Sequence, residues 1–159
     1  MKAVARLGPL PVVLWRWERA VPGGAVQARA ALRGALDQLG YGADVIDDVL
    51  LCASELVANA VEHADGPYEM RLRAVGGVVV CEVDDHDPRI PQVAAFDGAP
   101  LYAAEERYRG GGLDGLASVL AERGRGLRIV DALTSGAWGF RVSGTTKTAW
   151  LAIPVGTGE

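Results

Sequence analysis

Histidine and cysteine are scarce in this chain, with two of each in 159 residues. Neither Cys52 nor Cys81 belongs to a Cys-x-x-Cys pair or stands beside a histidine at a metal-ligand spacing. That speaks against a zinc-type or redox centre; two buried thiols are expected, and a disulfide has no support. Basic residues are also in deficit, 16 Lys and Arg against 20 Asp and Glu, for a net charge of −4 and a pI of about 5.2. Bulk electrostatics therefore offers nothing to nucleic acid. No hydrophobic run reaches the length of a membrane span. Val12 to Trp15 is too short for the apolar part of a secretory leader, and Arg16 and Arg19 follow at once. A soluble, cytoplasmic protein with no membrane contact is expected. There is no internal repeat and no low-complexity tail. What is present is a chain of one-domain length in which 50% of residues are hydrophobic, enough to bury a core.

Periodicity divides the chain into alternating helices and strand pairs. Val12 to Trp17 is β-branched and aromatic and predicts a strand, ended by Pro22-Gly23-Gly24. Ala25 to Leu39 carries a broad apolar stripe at helical spacing, and a second helix is predicted from Ala43 or Asp44 to about Ala64. Tyr68 to Val75 and Val78 to Asp84 read as strands joined at Gly76-Gly77, a two-residue hairpin signal. Residues 86–123 hold prolines and the run Gly110-Gly111-Gly112 and no clear period, which suggests a lid, with a helical turn or two at Leu113 to Leu120. A short helix at Leu127 to Ala132 and strands at Thr134 to Val142 and Lys147 to Ile153 complete a single domain over residues 1–159. Strands arriving as hairpins predict an α+β two-layer sandwich, with a mixed, mainly antiparallel sheet and helices on one face.

The second helix carries the chemistry. At about 100° per residue, Ile46, Val49, Leu50, Ala53, Leu56, Val57, Ala60, Val61 and Ala64 share a core side. Asp48, Cys52, Glu55, Asn59, Glu62 and His63 fall on the other, with Glu55, Asn59 and His63 stacked one turn apart. A solvated polar face is the plain reading. Against it, the helix has no Lys or Arg, and Leu51, Cys52 and Ala58 flank the row without reason to face water. A face of acids, an amide and small apolar groups is one that something else covers. A nucleotide fits: magnesium takes oxygen ligands and keeps waters, so an Asn oxygen serves it without adding negative charge. A carboxylate one turn away can orient a hydroxyl for attack on a γ-phosphate.

Glu55-Leu-Val-Ala-Asn59-Ala-Val-Glu-His63 resembles the N box of the GHKL ATP-binding fold, and the added histidine is typical of its anti-sigma-factor serine kinase branch. The resemblance implies Asn59 as the magnesium ligand, Glu55 as the base for phosphoryl transfer, and His63 within the ATP site. Val83-Asp-Asp85-His-Asp-Pro88 is similar to the G1 box, implying that Asp85 accepts the adenine amino group; the two glycine positions of that box are here Asp87 and Arg89. Gly124-Arg125-Gly126-Leu127 before a helix is similar to the G2 box, which receives phosphates on free backbone N–H groups. Arg125 and Arg128 either reach the phosphates or are solvated. Gly144-Thr-Thr-Lys-Thr148-Ala-Trp150 resembles the last box, and implies that Thr148 completes the adenine contact with Asp85. The four boxes come in order over roughly Ala43 to Pro154. The first strand and helix also suit this branch, where they contribute to a homodimer.

ATP and Mg2+ are thus the implied ligands, and an anti-anti-sigma (STAS-type) protein, a sigma factor, or both the implied partners. One reading is a protein serine/threonine kinase that regulates a sigma factor by partner switching and phosphorylates the anti-anti-sigma protein. The alternative is a non-catalytic, ATP-binding or degenerate module that sequesters a partner, a version the long lid and the replaced G1 glycines favour. A histidine-kinase catalytic domain is disfavoured, since no phosphoacceptor helix precedes it.

Overall fold

The computed structural model describes residues 7–89, 107–109 and 125–155. In chain order these form β1 (Val12–Trp17), α1 (Gly24–Gln38), α2 (Ala43–His63), β2 (Tyr68–Val75), β3 (Val78–Asp85), β4 (Arg107–Arg109), α3 (Arg125–Thr134), β5 (Trp138–Ser143) and β6 (Thr146–Pro154). Among the described residues the strands make one six-stranded sheet in the order β1-β2-β3-β6-β5-β4, and every pairing is antiparallel. The expected two-layer α+β sandwich is what forms. Gly76 and Gly77 close the β2–β3 hairpin with φ of 55° and 77°, the left-handed pair that a two-residue loop needs to match strand twist.

One expected strand boundary moves, and one strand is added. Strand β5 starts at Trp138, not Thr134. Thr134 is the last residue of α3, where its Oγ1 donates to the Val130 carbonyl at 2.7 Å; Ser135 (φ 54°) and Gly136 (φ 82°) then reverse the chain. A threonine that bonds back four residues sits in a helix despite its β propensity. Most of the expected lid, including Leu113 to Leu120, lies outside the described residues; within its span Arg107–Arg109 adds β4 to the sheet edge, which no periodicity announced.

The core lies between the sheet and the helices. Alternation along β3 places Val79, Cys81 and Val83 on the helix side, all fully buried, and Ala149, Leu151 and Ile153 of β6 continue that row. Helix α2 is the central member: it touches α1, α3, β3 and β6. Its buried arc is accordingly wide and takes in Cys52, which the helical pattern had assigned to the polar face. At about 60° round from Glu55, Cys52 stands next to Leu56 and is covered with it. No helix among the described residues is long and apolar enough to cross a membrane.

At the start of α1, Gly24 lies under Trp17, whose ring packs on Tyr68 with centroids 5.3 Å apart. A Cβ at Gly24 would stand 2.5 Å from Trp17 Cδ1. Gly24→Ala should therefore lower stability by about 1–3 kcal/mol through overpacking, seen as a lower urea midpoint with an unchanged slope. Cys52 and Cys81 are free and buried. Burial first, then neighbouring negative charges, pushes both thiols up to about 12. The nucleophile is the thiolate, so both should resist a thiol reagent at pH 8 in the native protein and react together once denaturant unfolds it; rapid labelling of the native chain would contradict this packing.

Candidate functional site

The site begins on α2. The C-terminal end of this helix is held in two ways. Arg19 donates to the carbonyls of Val61 (2.5 Å) and Ala64 (2.6 Å), covering C=O groups that a helix end leaves without partners. Just beyond, the His86 N–H donates to the Asp65 carbonyl at 2.8 Å, which ties the end of β3 to the end of α2. Glu55 and Asn59 stand one turn apart and half-buried on the side of α2 that leaves the core, while His63 is exposed at the last helical residue. Helix α2 also touches α3. Of the expected phosphate loop, Gly124 and the Arg125 side chain lie outside the described residues; Arg125, Gly126 and Leu127 form the first turn of α3. Backbone N–H groups in a first turn lack helical partners and suit an anion. Leu127 is buried in the core and Arg128 is exposed, so Leu127 anchors this helix start rather than presenting a side chain to a ligand. The Trp138 Nε1–H donates to Asp131 at 2.8 Å, fixing α3 against β5.

Asp85 ends β3 with 2% of its surface exposed, on the helix side of the sheet. Its Oδ1 accepts the Asp87 N–H at 3.0 Å. Burial raises its pKa, and the Asp87 N–H and Lys147 oppose that rise. The residues at the two glycine positions make a closed turn: Asp87 accepts from the Arg89 N–H (3.0 Å), Nε (2.9 Å) and a terminal nitrogen (2.6 Å). The Arg89 guanidinium holds the Asp87 carboxyl well below the usual range.

Asp85 and Thr148, expected to share the adenine contact, are not cross-strand neighbours. In the β3–β6 register Asp85 lies opposite Lys147, and Thr148 lies opposite Asp84. Successive residues of a strand point to opposite faces, so Thr148 is on the far side of the sheet from Asp85. There its Oγ1 donates to Asp84 Oδ1 at 2.6 Å. Asp84 also receives two bonds from Arg71, at 2.6 and 2.7 Å. Arg71 further binds Glu69 and Glu82, and Glu82 is approached by Arg73 and Arg141. This ion network covers the face of the sheet that has no helices; Thr148 belongs to it.

The residue on Asp85's side is Lys147, with a side chain 6% exposed. Its ammonium stands 3.6 Å from Asp85 Oδ2, donates to the Arg89 carbonyl at 2.7 Å, and lies 5.9 Å from the centroid of the Phe140 ring. No local motif marks this lysine. The signal was in the alternation: Lys147, Ala149, Leu151 and Ile153 share one face, and a lysine in an otherwise apolar row is the anomaly. Among the described residues no group of three or more His, Cys, Asp or Glu could cage a metal.

The family model of the histidine kinase-like ATPase domain matches residues 19–150. A crystal structure of the RsbU and RsbW domains of Rv1364c from Mycobacterium tuberculosis aligns with 94% of this chain at a TM-score of 0.53 and 19% identity. The chain spans 33% of that protein's chain, and at this identity the likeness is one of fold. No match was found among the curated proteins.

The placement of Thr148 has a direct test. Thr148→Val removes one donor from Asp84 and leaves Arg71 on it. Stability should fall by about 1 kcal/mol, while nucleotide affinity, measured by calorimetry, should stay within two-fold or so of the parent. A loss of affinity without loss of stability would put Thr148 back at the ligand.

Proposed function

Because this chain belongs to the histidine kinase-like ATPase domain family, we propose that it binds ATP with magnesium and acts as an anti-sigma-factor-type serine/threonine protein kinase. Its protein substrate is an anti-anti-sigma (STAS-type) protein, and its regulatory partner a sigma factor, both in the cytoplasm. The observation that carries this reading is the Glu55–Asn59 row, half-buried beside the core on a helix that touches both β3 and α3. A homodimer through the β1–α1 segment belongs to the same reading, since β1 is an edge strand of the sheet and such edges invite pairing.

The roles follow from side-chain chemistry. Asp85 is a buried acceptor with lone pairs to spare, suited to the amino group of adenine. The start of α3 offers backbone donors to phosphate. Asn59 would hold magnesium through its side-chain oxygen, and the ion would supply charge neutralisation at the phosphates. Glu55 takes the proton of the partner's serine hydroxyl as that oxygen bonds to the γ-phosphorus and ADP departs. General-base assistance of this kind contributes about 10²–10⁴-fold.

The second reading, a non-catalytic regulator, is favoured by one feature: the turn that the G1 glycines would open is closed by Asp87 and Arg89. Labelled-phosphate transfer separates the two. The parent protein with ATP, magnesium and a STAS-type partner should label the partner. Glu55→Ala should cut transfer by about 10²–10⁴-fold with ATP affinity little changed, and Asn59→Ala should weaken ATP binding chiefly when magnesium is present. Undiminished transfer by Glu55→Ala would remove the base from Glu55. Binding of ATP without any transfer by the parent would favour the regulator.

A further inference from the structure

Lys147 is the one buried lysine of β6, in a row otherwise formed by Ala149, Leu151 and Ile153. Packing gives little reason for it. Replacing a buried ion pair with apolar residues of similar volume is often neutral or stabilising. The surroundings say more. An ammonium has three N–H donors, and the Arg89 carbonyl at 2.7 Å takes one. The Asp85 contact, at 3.6 Å, is an ion pair longer than a hydrogen bond. Asp85 in turn has used one acceptor position, on the Asp87 N–H, where a carboxylate offers about four. Among the described residues, a donor and an acceptor with spare capacity therefore stand side by side, both buried, at the end of β3 that His86 ties to the end of α2. Phe140 provides an aromatic wall on the same face, and the Arg89 carbonyl keeps the ammonium from swinging away.

We propose that Lys147 is a specificity-determining residue for the nucleotide base: with Asp85 it forms an acceptor–donor pair that reads the edge of adenine directly. This rests on the nucleotide reading above. Adenine presents an amino group, N6, next to a ring acceptor, N1. Asp85 accepts from N6, and Lys147 donates to N1. In this site a charged side chain makes the second base contact, the one expected of Thr148, whose hydroxyl is spent on Asp84 on the other face.

The experiment compares ATP with 1-deaza-ATP, in which N1 is replaced by a C–H, by calorimetry in the presence of magnesium. A charge-assisted hydrogen bond makes the analogue weaker on the order of ten- to hundred-fold for the unmutated protein. Lys147→Met should bind ATP as weakly as the parent binds the analogue, and should not tell the two ligands apart. If Lys147→Met does not fold, the comparison on the unmutated protein stands alone. Equal affinity of the unmutated protein for both ligands overturns the proposal and leaves the nucleotide reading intact. Tighter ATP binding by Lys147→Met also overturns it, making Lys147 a plug that the base must displace. No binding of either ligand by the unmutated protein overturns both.

Discussion

The register between β3 and β6 is the constraint on which the character of this site depends. By pairing Asp84 with Thr148 and Asp85 with Lys147, it sends two adjacent aspartates to opposite sides of the sheet. A slip of one residue would exchange them, since side-chain direction alternates along a strand. On one side Asp84 joins Arg71, Glu69, Glu82 and Thr148 in an ion network that covers the face without helices. On the other, Asp85 enters the helix layer with a lysine beside it. Two residues of the same type and neighbouring number thus do unrelated work.

That register matters because α2 is held against it. The helix is covered by two helices and two strands, and its end is fastened by Arg19 and by the His86–Asp65 bond. The buried arc is wide enough to include Cys52, and what it leaves half-covered is the row of Glu55 and Asn59. A site built on a helix fixed at its end and along its flank has little freedom to drift. The phosphoryl transfer proposed for this site would benefit, because positioning and electrostatics supply most of the effect in such chemistry. The turn from Asp85 to Arg89 extends the same logic: Asp87 is locked by Arg89, and the Arg89 carbonyl is held by Lys147, so loop and strand brace each other.

Legibility in the sequence followed the range of the interactions. Amphipathic periods located α1 and α2 within a residue or two, and the Gly76-Gly77 hairpin needed only local backbone preference. Thr134 misled because β propensity and helical back-bonding compete in the same residue, and the winner depends on α3 being long enough to reach it. Strand β4 carries no periodic signal in three residues; it exists because β5 offers an edge. Cys52 misled because a helical wheel has no knowledge of how many neighbours crowd the helix.

The sequence by itself determined the fold class, the Glu55–Asn59 spacing and the aspartate at the end of β3, because each depends on contacts within one element or one hairpin. Only the tertiary structure decided which side chain faces Asp85. A motif counted along the chain pointed to Thr148; the pairing of strands more than sixty residues apart put Lys147 there instead. The physical reason is that strand register is set by the sum of cross-strand pairs and core burial along β3 and β6, and no residue of the motif carries that information alone.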